Sequence, residues 1–247
     1  MRAMTGEFLR YWAAHLAAAE CQTALAKQGL KVAVTVDPGK IRDSVDKVGK
    51  PYLTPILDPA QNDFSESNYF WMIASREGEP VIVGGGRLDH MAQGASAHIA
   101  RGLNRAYGAG TIIDVSSDVS KHLQGRVCYL GDLYSKSVKG LSRNNVRHFL
   151  GVANFIAATQ FQADYTYSFM RRADVMRGSA DVNGFDRRIY KPVQWGSVPT
   201  ARCDSEIIAY RSATSDEQYF DGIMQELAPR ATISTADLGD QKQVDPA

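Results

Sequence analysis

Apolar positions along the chain recur at helical spacing first and at strand spacing afterwards. Between Thr5 and Lys27, the residues Phe8, Trp12, His15/Leu16, Ala19 and Thr23 fall on one helical stripe. Thr5 is a candidate N-cap, and Gly29 is a stop signal. Lys31 to Val36 alternates and ends at Asp37-Pro38-Gly39, which predicts a short strand. Ile41 to Val48 predicts a second, shorter helix, and Pro51, Pro55 and Pro59 predict an irregular stretch after it. Asn68 to Ser75 is an aromatic and β-branched run. With Val81 to Leu88 beyond a glycine-containing turn, it predicts a hairpin. Gly84, Gly85 and Gly86 lie inside the second strand, where glycine marks a bulge or the close approach of another group.

The stretch from His90 to Gln124 is polar and is expected to hold one or two helices covering the sheet. Gly125 to Tyr134 is apolar on both faces and predicts a central strand. Arg143 to Gln160 predicts an amphipathic helix with Val146, Phe149/Leu150, Ala153 and Ile156/Ala157 inward. A strand over Asp164 to Met170 follows, then a short helix from Arg172 to Val182 closed by Asn183-Gly184. Phe185 to Trp195 mixes turns with short extended pieces, Glu206 to Ser212 is a last strand, and the final twenty or so residues are polar and expected to fray.

Composition narrows the classes. With 247 residues, 44% hydrophobic and 22% charged, the chain can bury a sizeable core. A net charge of +1 supplies no general attraction to nucleic acid or to an anionic membrane, so any anion site must be local. Cys21, Cys128 and Cys203 are odd in number and form no C-x-x-C pair; they read as small hydrophobes of an intracellular protein. The histidines lack metal-ligand spacing. Arg10, His15 and Glu20 break the Ala-rich start, and no run reaches the roughly 18–20 apolar residues of a membrane span. The expectation is a cytoplasmic protein without a membrane span.

Chemistry concentrates between Arg126 and Phe161. Lys136, Lys139, Arg143 and Arg147 crowd the junction between strand and helix, Gly140 lets the loop bend, and Ser142 stands at the cap position. Free amides at a helix start, together with the helix dipole, favour a phosphate or pyrophosphate there. The same residues also describe a solvated basic helix start, and both readings stay open on this unit alone.

The order of elements (hairpin, central strand, basic glycine loop, long helix, strand, short helix, Asn-Gly-Phe, last strand) resembles the GNAT superfamily of acyl-CoA N-acyltransferases from about Asn68 to Ser212. Ser137 to Ser142 stands where that family has its R/Q-x-x-G-x-G/A loop, with Lys139-Gly140 similar to the common Arg-Gly step. Asn183-Gly184-Phe185 resembles the Gly-Phe closing of the last helix. The loop has a single glycine, and the tyrosine that often precedes Gly-Phe is replaced by Ala180 or Asn183.

The resemblance implies an α/β (α+β) fold with a central mixed, mostly antiparallel twisted sheet flanked by helices. Residues 1–64 would form an N-terminal segment packed on the core, 65–225 an acyl-CoA-binding core and 228–247 a flexible tail. It implies acyl-CoA as co-substrate, held by Leu133, Lys139, Gly140, Leu141, Ser142, Arg143 and Asn144, and a small-molecule amine as acceptor. Asp132 is then the candidate base or amine anchor, and Tyr134 and Tyr167 are candidate acids, amine-orienting groups or packing residues. Backbone amides near Leu130 to Tyr134 would stabilise the oxyanion. Two other readings accompany this one: a non-catalytic acyl-CoA-binding domain acting as sensor or assembly partner, and an acyltransferase whose donor is acyl-carrier protein. A homodimer is compatible with all three.

Overall fold

The computed structural model describes residues 6–92 and 94–228. The elements run α1 (Gly6–Lys27), β1 (Leu30–Thr35), α2 (Pro38–Val48), β2 (Tyr69–Arg76), β3 (Glu79–His90), α3 (Ala95–Tyr107), β4 (Ile112–Val115), α4 (Ser117–His122) and β5 (Arg126–Ser135). The second half runs α5 (Arg143–Thr159), β6 (Tyr165–Arg171), α6 (Arg172–Met176), α7 (Ser179–Val182), β7 (Arg187–Tyr190), β8 (Val193–Trp195), β9 (Glu206–Ser212) and α8 (Asp216–Leu227). Seven strands form one sheet in the order β1-β2-β3-β5-β6-β9-β7, and β4 pairs with β8 beside it. Every adjacent pair in the large sheet is antiparallel except β5 and β6. A mixed, mostly antiparallel sheet flanked by helices is the expected architecture.

The sheet buries both faces. One carries Phe70, Met72, Ile82 and Leu130 against Cys21 and Leu25 of α1, Phe149 and Ile156 of α5, and Phe220 of α8. The other carries Trp71, Val83, Tyr129, Tyr167 and Ile208 against Ile41 and Val45 of α2 and Ile99 and Leu103 of α3. The alternation Phe70/Trp71 and Ile82/Val83 follows from the two-residue period of a strand.

Glycines explain the hairpin's close packing. A Cβ on Gly85 would lie 2.6 Å from the Trp71 ring, and one on Gly86 would lie 2.6 Å from the Phe70 ring. The glycine run in β3 therefore lets two aromatic rings of β2 lie flat across the neighbouring strand.

Three sequence expectations need correction. On α1, the stripe of Phe8, Trp12 and Leu16 faces outward, while Ala14, Ala17, Cys21 and Leu25 are fully buried. Small residues face inward because α1 lies close on α5: a Cβ at Gly151 would stand 2.6 Å from the Cys21 sulfur. The helix expected from Arg172 to Val182 is two short helices, because Gly178 adopts a φ of 81° and interrupts it. The segment from His90 to Gln124 holds strand β4 besides its two helices; β9 is the last strand, as expected, and α8 follows it. The expected tail falls outside the described residues apart from Ala228.

Candidate functional site

The parallel pair at the centre of the sheet comes apart. β5 and β6 are in register only at Val127–Tyr165, Cys128–Thr166 and Tyr129–Tyr167, although β5 continues to Ser135 and β6 to Arg171. The cause lies on the far edge of β5. Gly85 of β3 pairs with Gly131 and Val83 with Tyr134, so Asp132 and Leu133 together oppose the single residue Gly84. This is a β-bulge, with Asp132 at a φ of 54°, and a bulge bends its strand. From Leu130 onward, the β6-facing edge of β5 has no strand partner.

A cleft of about 630 Å³ fills the gap. Arg143, Val146, Phe149, Leu150 and Ala153 of α5 line it on one face of the sheet. Lys50, Tyr52, Thr54, Ala201 and Arg202 line it from loops outside that helix layer, together with Tyr129, which belongs to the opposite core face. Residues from both layers of the sheet thus line one cleft between the parted strands.

Asp132 is held from several directions. Its side chain is fully buried; Lys50 Nζ stands 2.7 Å from Oδ1, and the Thr54 hydroxyl donates to Oδ2 at 2.6 Å. The Thr54 amide reaches both oxygens at 3.2 Å. Lys50 is positioned by the end of α2, where Gly49 adopts a φ of 77° and the Lys50 amide bonds back to the Val45 carbonyl at 3.1 Å. The carboxylate expected as a base therefore has its acceptor directions taken by Lys50 and Thr54, and it pins the segment from Lys50 to Thr54 over the cleft.

Glu206 and Arg202 are the other buried charges on the lining. Arg202 Nη2 lies 2.9 Å from Glu206 Oε2, with side-chain exposures of 4% and 10%. Burial pushes the Glu206 carboxyl above the usual glutamate range, against the opposing pull of Arg202.

The basic loop follows Ser135, the last residue of β5 on the lining. Gly140 has a φ of 79°, and Arg76 ties the loop down by donating to the Lys139 carbonyl at 2.9 Å and the Gly140 carbonyl at 3.3 Å. Ser142 caps α5 in a capping box with Asn145. Among the described residues, the amides of Lys139, Gly140, Arg143 and Asn144 have no protein acceptor. Arg147 is paired with Glu226 at 2.7 Å and Lys136 donates to the Lys47 carbonyl, whereas Lys139 and Arg143 have no ion-pair partner among the described residues.

The residues named from sequence divide accordingly. Asp132, Leu133, Tyr134 and Arg143 meet on the cleft lining. Lys139, Gly140, Leu141, Ser142 and Asn144 lie on the loop and the first turn of α5 and are not on the lining. Tyr167 is not on the lining: its ring packs between Tyr129 and Phe169, with centroids 5.2 and 6.0 Å away, and burial raises its hydroxyl well above the usual tyrosine range. Lys50, Thr54, Arg202 and Glu206 were not singled out by sequence. No local signal marks them, because they converge only through contacts between distant segments.

No protein-family model matches the chain, and no curated protein does. Solved structures with a similar arrangement include FeeM, an N-acyl amino acid synthase from uncultured soil microbes, at 11% identity over 76% of this chain and 92% of that one, with a TM-score of 0.43. Drosophila melanogaster polyamine N-acetyltransferase is similar at 12% identity over 74% of this chain and 100% of that one, with a TM-score of 0.46. The aminoglycoside acetyltransferase AAC(6')-Ib, solved with ribostamycin and coenzyme A, is similar at 12% identity over 78% and 96%, with a TM-score of 0.41.

Proposed function

We propose that the cleft transfers an acyl group from acyl-CoA to a small amine by direct attack of the nitrogen on the thioester. The observation that carries this reading is the parted pair β5/β6, whose gap holds one cleft lined by residues from both layers of the sheet. A donor entering along α5 and an acceptor entering past Lys50 and Arg202 would meet at the bulge. Transfer between two bound molecules needs that juxtaposition more than any single side chain.

The residues fit a CoA donor. The unpartnered edge of β5 from Leu130 offers backbone groups to an amide-bearing arm, and the amides of Lys139, Gly140, Arg143 and Asn144, with the two unpaired cations, suit a pyrophosphate. Acyl-CoA would supply an activated carbonyl. In the reaction the amine nitrogen forms the bond to the acyl carbon, the carbon–sulfur bond breaks, the nitrogen loses a proton and the departing sulfur gains one. Tyr134, on the lining, would protonate the sulfur. Backbone amides of the bulge would hold the oxyanion.

Titration with CoA and an acyl-CoA chain-length series, followed by thermal denaturation, tests the donor. Stabilisation should reach about 2.7 kcal/mol at one hundred times the dissociation constant. It should fall sharply in the Lys139→Ala/Arg143→Ala protein. No shift with any CoA species would end the CoA assignment.

A further inference from the structure

The two sides of the cleft differ in chemistry. On the side of α5, the buried lining residues are Leu130, Phe149, Leu150, Ala153, Met170 and Phe185; none is more than 9% exposed, and none has a polar side chain. Polar residues on that side, Arg143 and Arg171 among them, are exposed or partly exposed. Buried polar groups, such as Lys50 and Thr54 on Asp132, belong to the other side. Protein interiors are close-packed, so buried apolar side chains that border open volume instead of filling it mark a place for an apolar group.

The arm of CoA does not account for this wall. Its amides need hydrogen-bonding partners, and those lie on the backbone edge of β5 that β6 leaves free. An acetyl group adds one methyl and would leave most of the wall uncovered, and apolar atoms facing a void lose their contacts. A hydrocarbon chain covers such a wall and brings no polar group that would need a partner there.

We infer that the acyl group is an aliphatic chain several methylenes longer than acetyl, lying on the α5 wall, and that Ala153 limits its length. The inference rests on the acyl-CoA reading above and specifies the donor. Ala153 has the smallest side chain on the wall. It is also the last residue of α5 on the lining, about 15 Å along the helix from Arg143. The space left by its short side chain therefore lies at the end of the α5 lining away from the basic loop. The amine would reach the thioester from the polar side, past Lys50 and Thr54, so the two walls sort the two reactants.

The test is calorimetric titration of the full chain with CoA and with acetyl-, butyryl-, hexanoyl-, octanoyl- and decanoyl-CoA, and separately with the free fatty acids of the longer chains. Affinity should rise about fourfold for each methylene buried, up to a length at which it levels off. Hexanoyl-CoA should accordingly bind at least tenfold more tightly than acetyl-CoA. Ala153→Leu should move the levelling-off to a shorter chain; Ala153→Val, a smaller change, serves if the leucine variant does not fold, and the wild-type series needs neither. Acetyl-CoA binding as tightly as every longer thioester overturns the inference and leaves the CoA donor standing. An unchanged levelling-off length in the folded variant overturns the role of Ala153. Length-dependent binding of fatty acids, with no CoA species bound, retains the apolar wall as a chain site and overturns the CoA donor. No binding of thioesters or fatty acids overturns both.

Discussion

Replacing Lys50 by Met should cost the fold about 3–5 kcal/mol, because it leaves the fully buried Asp132 carboxylate without its cation. Thr54 would still donate to both oxygens, but neutral donors replace only part of what an ammonium at 2.7 Å supplies. The double variant Lys50→Met/Asp132→Asn removes both charges and should recover much of the loss. Urea denaturation of the three proteins closes the cycle. Turnover in the double variant then reports the role of Asp132. If Asp132 only pins the bulge, as its four contacts indicate, the rate stays within about tenfold of wild type. A carboxylate that removes the amine proton would cost about 10²–10⁴-fold instead.

A second large loss of stability is expected at Arg211. Its guanidinium, 2% exposed, donates to Asp216 at 2.8 Å, to the Gly184 carbonyl at 2.7 Å and to Asn154 at 3.1 Å, and lies 4.0 Å from the Tyr219 ring centroid. These contacts fasten β9, the Asn183-Gly184-Phe185 turn, α5 and α8 to one another. Gly184 fits there because its φ is 80° and a Cβ would stand 2.2 Å from Tyr219. Arg211→Met should therefore destabilise by about 3–5 kcal/mol, since Asp216 would keep only Arg10 at 3.7 Å. The Asp216 carboxyl already sits above its usual range because burial outweighs the pull of Arg211. Without the arginine it should take up a proton at still higher pH. The variant's stability should accordingly improve as pH falls toward the ordinary aspartate range, a trend visible in denaturation series at several pH values.

Local signals carried much of this structure. The strand–loop–helix unit from Arg126 to Thr159 was readable because an apolar run, a basic glycine loop and a helical stripe follow one another without interruption. Asp132, Tyr134 and Arg143 were legible for the same reason: each lies in or beside that unit. Lys50, Thr54, Arg202 and Glu206 were not, since they reach the cleft from segments about 80 residues before and 70 residues after the bulge in β5. On α1 the helical spacing located the helix but did not mark its buried face, which carries the small residues Ala14, Ala17 and Cys21 with Leu25. Against a helix that presents Gly151, small side chains give the closer approach, and Phe8 and Trp12 are left about half exposed. The glycine run in β3 marks a place of close approach, as the sequence indicated, and the approaching groups at Gly85 and Gly86 are Trp71, Phe70 and Leu130.

The most direct test of the account is to incubate the protein with an acyl-CoA series and an equimolar mixture of L-amino acids and simple amines, and to follow thiol release and new amides by mass spectrometry. The account predicts an N-acyl amide formed in step with free CoA. Absence of any amide, with acyl-CoA intact in the presence of a folded protein, would contradict it.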